Sequence, residues 1–140
     1  MANPKKIVQP PDLPIRKSHS QVVAVTGGTL VFVAGMTSRS EKDATPVHPG
    51  DMRAQLRQVC ENIGRALRSV GGDYSDVVKT TTFTTDIDEY HRVNDERYKY
   101  FKTDLPTRVD GQNRMYRGDS DGPASPDSSY SERNERKIWS

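Results

Sequence analysis

Apolar positions are regularly spaced between residues 19 and 108 and sparse on either side. Residues 21–25 (Gln-Val-Val-Ala-Val) and 29–35 (Thr-Leu-Val-Phe-Val-Ala-Gly) are β-rich runs flanking Thr26-Gly27-Gly28. A Gly-Gly pair suits a primed turn, so the runs predict an antiparallel hairpin. In the second run Leu30, Phe32 and Ala34 fall on one face and Val31 and Val33 on the other; neither face is suited to water. From Asp51 to Val70, Met52, Leu56, Val59, Cys60, Ile63, Leu67 and Val70 recur at three- and four-residue steps, the stripe of an amphipathic helix. Asp51 can cap it, Arg65 and Arg68 suit its negative end, and Gly71-Gly72 supplies a left-handed stop. Asp76 to Thr85, with Val77, Val78, Phe83 and five threonines, predicts a strand. Asp86 can cap a second helix, with Glu89 completing a capping-box-like pair. Ile87, Tyr90, Val93, Arg97, Tyr98 and Phe101 form its stripe, and Pro106 lies beyond its end.

This order, β-β-α-β-α, predicts an α+β fold with two helices on one face of a mixed sheet. Two helices cover only one face, yet the strand at 29–35 is apolar on both. The open face should therefore meet another subunit.

The flanks differ from this middle. Residues 1–18 hold Pro4, Pro10, Pro11 and Pro14, each removing a backbone donor and disfavouring helix before it, and read as an extended N-terminal arm. In residues 109–140, 11 of 32 residues are charged and seven are apolar, too few to offset the entropy of ordering. That stretch is expected to be a disordered polar tail in which Ile138 and Trp139 could dock locally. The chain thus divides into an arm (1–18), a domain (19–108) and a tail (109–140).

Charge and composition narrow the function. The 140 residues carry 21 basic and 19 acidic side chains. Residues 1–18 balance at +3, whereas residues 19–108 hold 12 of each sign, so the excess basicity is a property of the arm. A nucleic-acid-binding surface concentrates Lys and Arg on the folded part, so nucleic acid is not an expected partner. Gly27-Gly28 and Gly71-Gly72 lack the further spaced glycines of a phosphate-binding loop. A mean hydropathy of −0.84 and the lack of a long apolar run give no membrane partner and no signal peptide, and the chain is read as soluble and cytoplasmic. One cysteine and three scattered histidines give no disulfide and no zinc spacing, so no metal is expected. Cys60 lies in the helix stripe and reads as a core residue, not a nucleophile.

The local sequences also carry a resemblance. His19-Ser20-Gln21, the run Gly27-Gly28-Thr29-Leu30-Val31-Phe32-Val33-Ala34-Gly35, the helix Arg53 to Ile63, Asp76-Val77-Val78-Lys79-Thr80-Thr81, and Val93-Asn94 through Pro106-Thr107-Arg108 occur in this order over about ninety residues. Together they resemble the Rid family (RidA/YjgF/YER057c-like) of enamine and imine deaminases. The resemblance implies a chorismate-mutase-like, YjgF-like sheet assembled as a homotrimer, with sites in clefts between subunits. It implies hydrolysis of small enamines or imines, 2-aminoacrylate-like, to keto acids and ammonia without a cofactor, a metabolite-repair reaction.

For the site, the resemblance places the family's carboxylate-binding arginine at Arg108. A guanidinium is a rigid, permanently charged fork that receives a carboxylate bidentately. Taken alone, an arginine at the edge of a polar tail is a solvated loop residue. Asn94 stands in a Val-Asn pair and is either a helix-packing amide or a substrate contact. His19 stands where tyrosine is common, and is a strand-edge residue or a catalytic or ligand contact. Thr37 is a candidate at the cleft border, although a Ser-Gly-Gln run is common there. His48 and His91 are read as surface residues.

The C-terminus departs most. Family members continue into apolar final strands ending in a Val-Glu-Ile-Glu-Ala-like run that supplies an acidic site residue. Here the terminal strands are missing or altered, a break of the kind an out-of-frame coding end produces, and Glu132 and Glu135 lie in no strand pattern. The expected function is imine deamination, impaired by the altered end. The alternative is a non-catalytic trimer that binds small carboxylates or has a regulatory role.

Overall fold

The fold was obtained as a computed structural model, which describes residues 4–112, 130–132 and 138–139. Among the described residues, eight strands and two helices follow in the order β1 (Lys5–Val8), β2 (Val22–Val25), β3 (Leu30–Val31), β4 (Met36–Thr37), α1 (Met52–Arg68), β5 (Lys79–Thr84), α2 (Ile87–Val93), β6 (Thr107–Gln112), β7 (Tyr130–Glu132) and β8 (Ile138–Trp139). The architecture is α+β. A four-stranded sheet runs β4-β7-β5-β6, with β5 and β6 parallel, and two further pairs join β1 to β2 and β3 to β8.

Helix α1 forms along the predicted stripe but ends at Arg68, leaving Val70 exposed. The Asp51 carboxylate accepts from the Ala54 N–H at 3.0 Å, and Gly71 at φ 75° lets the Gly72 N–H reach the Leu67 carbonyl at 3.0 Å. Met52, Leu56, Val59, Cys60, Ile63 and Leu67 are all buried and meet Val33, Val77, Tyr90, Val93 and Phe101 in one core. Gly64 sits where a Cβ would collide with the Tyr74 hydroxyl, which donates to the Cys60 carbonyl at 2.7 Å. That close approach outweighs the roughly 1 kcal/mol that glycine costs inside a helix.

Three expectations are corrected. The runs at 21–25 and 29–35 do not pair with each other. Gly27 and Gly28 do take positive φ (74° and 85°), but β2 pairs with β1 and β3 with β8. The arm supplies a competing strand because Lys5 is pinned: its Nζ donates to the carbonyls of Ser75 (2.6 Å), Val77 (2.7 Å) and Asp104. Burial draws that ammonium down to about 8, against the pull of Asp104. The second helix stops at Val93 and continues as a 3-10 turn over Asn94–Lys99, whose tighter winding turns Asn94, Glu96 and Arg97 inward and leaves Tyr98 half exposed. Asp86 caps α2 by accepting from the Glu89 N–H at 2.9 Å, while the Glu89 side chain pairs with Arg92.

Strand β6 extends past residue 108 to Gln112. The terminal strands are present but altered, reduced to three residues in β7 and two in β8, the latter formed by Ile138 and Trp139. Most of the remaining expected tail, with Glu135, lies outside the described residues. The alternation in the second apolar run holds: Val33 is buried and Val31 packs on the core, while Phe32 is 66% exposed.

One buried carboxylate ties α1 to the 3-10 turn. Glu96 is 1% exposed and receives Arg57 Nε at 2.8 Å, Lys99 Nζ at 2.8 Å and Arg53 Nη1 at 3.4 Å. Hydrogen bonds from Arg57 and Lys99 hold its carboxyl down to about 2, from an ordinary value of 4.5. A depressed carboxyl contributes stability above its unfolded value and loses it as pH falls through the folded one. Urea unfolding at stepped pH should show this contribution fading between about pH 4.5 and 2. Because the cationic partners are half in solvent, Glu96→Gln should cost only about 1–3 kcal/mol at pH 7 and flatten that acid limb.

Candidate active site

The site grows from the register of β5 and β6. Every second residue of β5 is buried, so Thr80, Thr82 and Thr84 face inward. In the parallel register Arg108 lies beside Thr80 and Asp110 beside Thr82, which puts both charged side chains on the same face of β6. The helical layer closes over them. Tyr90 of α2, fully buried, places its hydroxyl 3.5 Å from both Thr82 Oγ1 and Asp110 Oδ1, and the Arg108 guanidinium lies 5.6 Å from its ring centre. Burial raises the Tyr90 phenol above its ordinary value, so it stays a neutral donor.

Arg108 is 6% exposed and closely paired. Its Nε donates to Asp110 Oδ1 at 2.9 Å and its Nη2 to Asp110 Oδ2. Asn94, with its amide oxygen turned to the guanidinium, accepts from Nη1 at 2.8 Å and Nη2 at 3.1 Å. His19 is brought alongside by the neighbouring Ser20, whose N–H donates to the Pro106 carbonyl at 3.1 Å and whose hydroxyl donates to that of Leu105. The His19 Nδ1 lies 2.9 Å from Ser18 Oγ.

These groups line a cavity of about 340 Å³, walled by Ser18 and His19, by His91, Asn94 and Tyr98, and by Arg108 and Asp110. Three of the four candidates read from the sequence, His19, Asn94 and Arg108, thus meet in one place. Thr37 does not line this cavity; it lies in β4, where its carbonyl accepts from Asn62 Nδ2 at 3.3 Å. Ser18, His91, Tyr98 and Asp110 were not singled out for the site. Of these, Asp110 had a readable signal, since residues two apart on a strand share a face. Among the described residues no group of three His, Cys, Asp or Glu side chains is placed to hold a metal ion.

The arrangement couples a fixed cation to a neutral base. Burial, then the positive charges of Arg108 and Arg16, lower the His19 imidazole below 6.5, so it is unprotonated at pH 7 and able to accept a proton.

An arginine-walled cavity thus lies between a parallel strand pair and a short helix of a small α+β protein. The family model described as endoribonuclease L-PSP matches residues 13–113, and the chain belongs to this family, the Rid/YjgF family. Among its relatives is a RutC family protein of Pyrococcus horikoshii, 34% identical over 86 residues (61% of this chain, 68% of the relative). Another, from Rattus norvegicus, is named 2-iminobutanoate/2-iminopropanoate deaminase and is 32% identical over 92 residues (66% and 65%). The fold matches that of YyfB, a Rid family protein from Yersinia pestis, at a TM-score of 0.79 and 18% identity, covering 98% of this chain and 99% of that one. RidA from an Antarctic Psychrobacter matches at 0.65 and 23%, covering 96% and 99%. Among the described residues no helix is long and apolar enough to cross a membrane.

Histidine titration followed by NMR should place His19 below 6.5. Removing a contributing charge in Arg16→Ala should move it upward without reaching the ordinary value, because burial is the larger cause.

Proposed function

We propose that this protein hydrolyses small reactive enamines and imines to the corresponding carbonyl compound and ammonia, acting as a homotrimer. The observation that carries this reading is a buried arginine beside a neutral histidine in a small cavity, in a chain of the Rid/YjgF family. The relative named 2-iminobutanoate/2-iminopropanoate deaminase supports imine hydrolysis as the reaction. The setting proposed with it is clearance of such metabolites in the cytoplasm.

The chemistry asks little of the protein. An enamine tautomerises to the imine, water adds to the imine carbon, and the carbinolamine breaks its C–N bond as a proton moves from oxygen to nitrogen. Imine plus water gives carbonyl plus ammonia, with no redox change. His19, unprotonated at neutral pH, takes a proton from the attacking water and returns it to the leaving nitrogen, while Arg108, braced by Asn94 and Asp110, fixes the polar end of the cavity. Among the described residues, the candidate counterpart of the acidic residue that the family carries near its end is Glu132, in β7 in register with Met36.

The trimer is supported by apolar area left in water. Phe32 is 66% and Val109 55% exposed, and Val109 lies on the side of β6 opposite Arg108 and the helices. Sedimentation should give three times 15.7 kDa, and Phe32→Asp should shift the protein to smaller species.

Turnover is tested on imines generated in place, 2-iminopropanoate from an amino-acid oxidase and a carboxylate-free aldimine from an amine oxidase. At least one should decay faster than its spontaneous hydrolysis, with ammonia released in step. Arg108→Ala, which removes the cation that braces the polar end of the cavity and leaves Asp110 without its partner, should lower kcat/KM by about 10- to 100-fold. If no imine decays faster than it does in buffer, the hydrolase reading falls; keto-acid binding without turnover would favour the non-catalytic module.

A further inference from the structure

The family resemblance implies that Arg108 holds the carboxylate of a ligand, yet Arg108 already holds one. A guanidinium offers five N–H groups and two edges on which an acceptor can sit bidentately, Nε with Nη2 and Nη1 with Nη2. Asp110 occupies the first edge through Oδ1 on Nε at 2.9 Å and Oδ2 on Nη2. The Asn94 amide oxygen occupies the second, at 2.8 and 3.1 Å. Among the described residues four of the five N–H groups are thereby committed, leaving one on Nη1. The pair is also withdrawn from water, Arg108 being 6% and Asp110 14% exposed.

An incoming carboxylate therefore has two routes, both unfavourable. Displacing Asp110 strands a largely buried carboxylate without its cation. Displacing Asn94 sets two anions on one guanidinium in a site of low dielectric, where like charges repel strongly. A small imine without a carboxylate faces neither difficulty, and as an iminium cation it would be attracted by the outer lone pairs of Asp110.

We propose that Asp110 is the specificity-determining residue of this cavity, a resident carboxylate that closes the Arg108 fork and makes the site select small imines lacking a carboxylate over imino acids. That the ligand is an imine rests on the function proposed above; the closing of the fork does not. The device follows from strand geometry, because an acid two residues beyond an arginine on β6 shares its face and reaches its side edge.

The test separates the two ideas by using a stable probe. Calorimetric or NMR titration compares 2-oxobutanoate with butanone on the wild-type protein, Asp110→Asn and Asp110→Ala, with kcat/KM for the acidic and carboxylate-free imines measured alongside. In the wild-type protein the keto acid should bind no tighter than the ketone. In either variant it should bind at least about tenfold tighter than in the wild type, and the preference between imines should shift toward the acid by a similar factor. Asp110→Asn keeps the side-chain shape, and the wild-type comparison needs no variant. Strong keto-acid binding by the wild-type protein, or no gain in a variant that melts cooperatively, overturns the proposal. If no imine is turned over but the variants gain keto-acid binding, the hydrolase reading fails and the resident carboxylate stands.

Discussion

A guanidinium shut away from water must be matched by acceptors on nearly every N–H, and around Arg108 that requirement organises the functional half of the molecule. Asp110 supplies one matching edge from the same strand and Asn94 the other from the 3-10 turn, while Tyr90 covers the group from α2. The parallel pairing of β5 with β6 fixes the positions of Arg108 and Asp110 against Thr80 and Thr82. Three elements are thus held in one geometry by a single cation. The cavity wall is consequently rigid where a ligand would meet it, a form of preorganisation.

The domain resolves its buried charges in two ways. At Glu96 a single anion is surrounded by three cations whose outer parts remain hydrated, which spreads the desolvation and holds the carboxyl firmly ionised. At Arg108 the cation is buried instead, and its counter-charge is buried with it. The first arrangement joins α1 to the turn after α2 and does not line the cavity at Arg108; the second does. Ligand recognition therefore competes with an internal ion pair, whereas fold stability draws on a separate one.

Much of this was legible in the sequence where burial is periodic. The α1 stripe, its Asp51 cap and its glycine stop follow from residue spacing alone, as does the Asp86 cap of α2. Pairing partners were not legible, because β2 and β3 are equally apolar and only the long-range clamp on Lys5 selects β1 as the partner of β2. The 3-10 turn escaped for a related reason: Glu96 looks like a solvated charge, and the place of Arg97 in the stripe gives no sign of tighter winding, until their partners Arg57, Lys99, Thr80 and Phe101 are assembled around them. In the site, Arg108, Asn94 and His19 were reached through resemblance. Asp110 was lost because composition placed a boundary after Arg108, although the strand runs on for four residues to Gln112.

The approach to Arg108 is governed by residues distant in sequence. Lys5 grips the carbonyl of Asp104, which sits at φ 47°, and Ser20 grips those of Leu105 and Pro106. The turn leading into β6 is thereby fixed from the N-terminal side before the strand begins. The Thr107 N–H and hydroxyl then both donate to the Val78 carbonyl, at 3.0 and 3.1 Å, locking the first step of the β5–β6 register. A slip of one residue in that register would turn Arg108 and Asp110 to the opposite face and bring Val109 into the cavity. The N-terminal arm therefore acts on the site through backbone register, even though none of residues 5–8 lines the cavity.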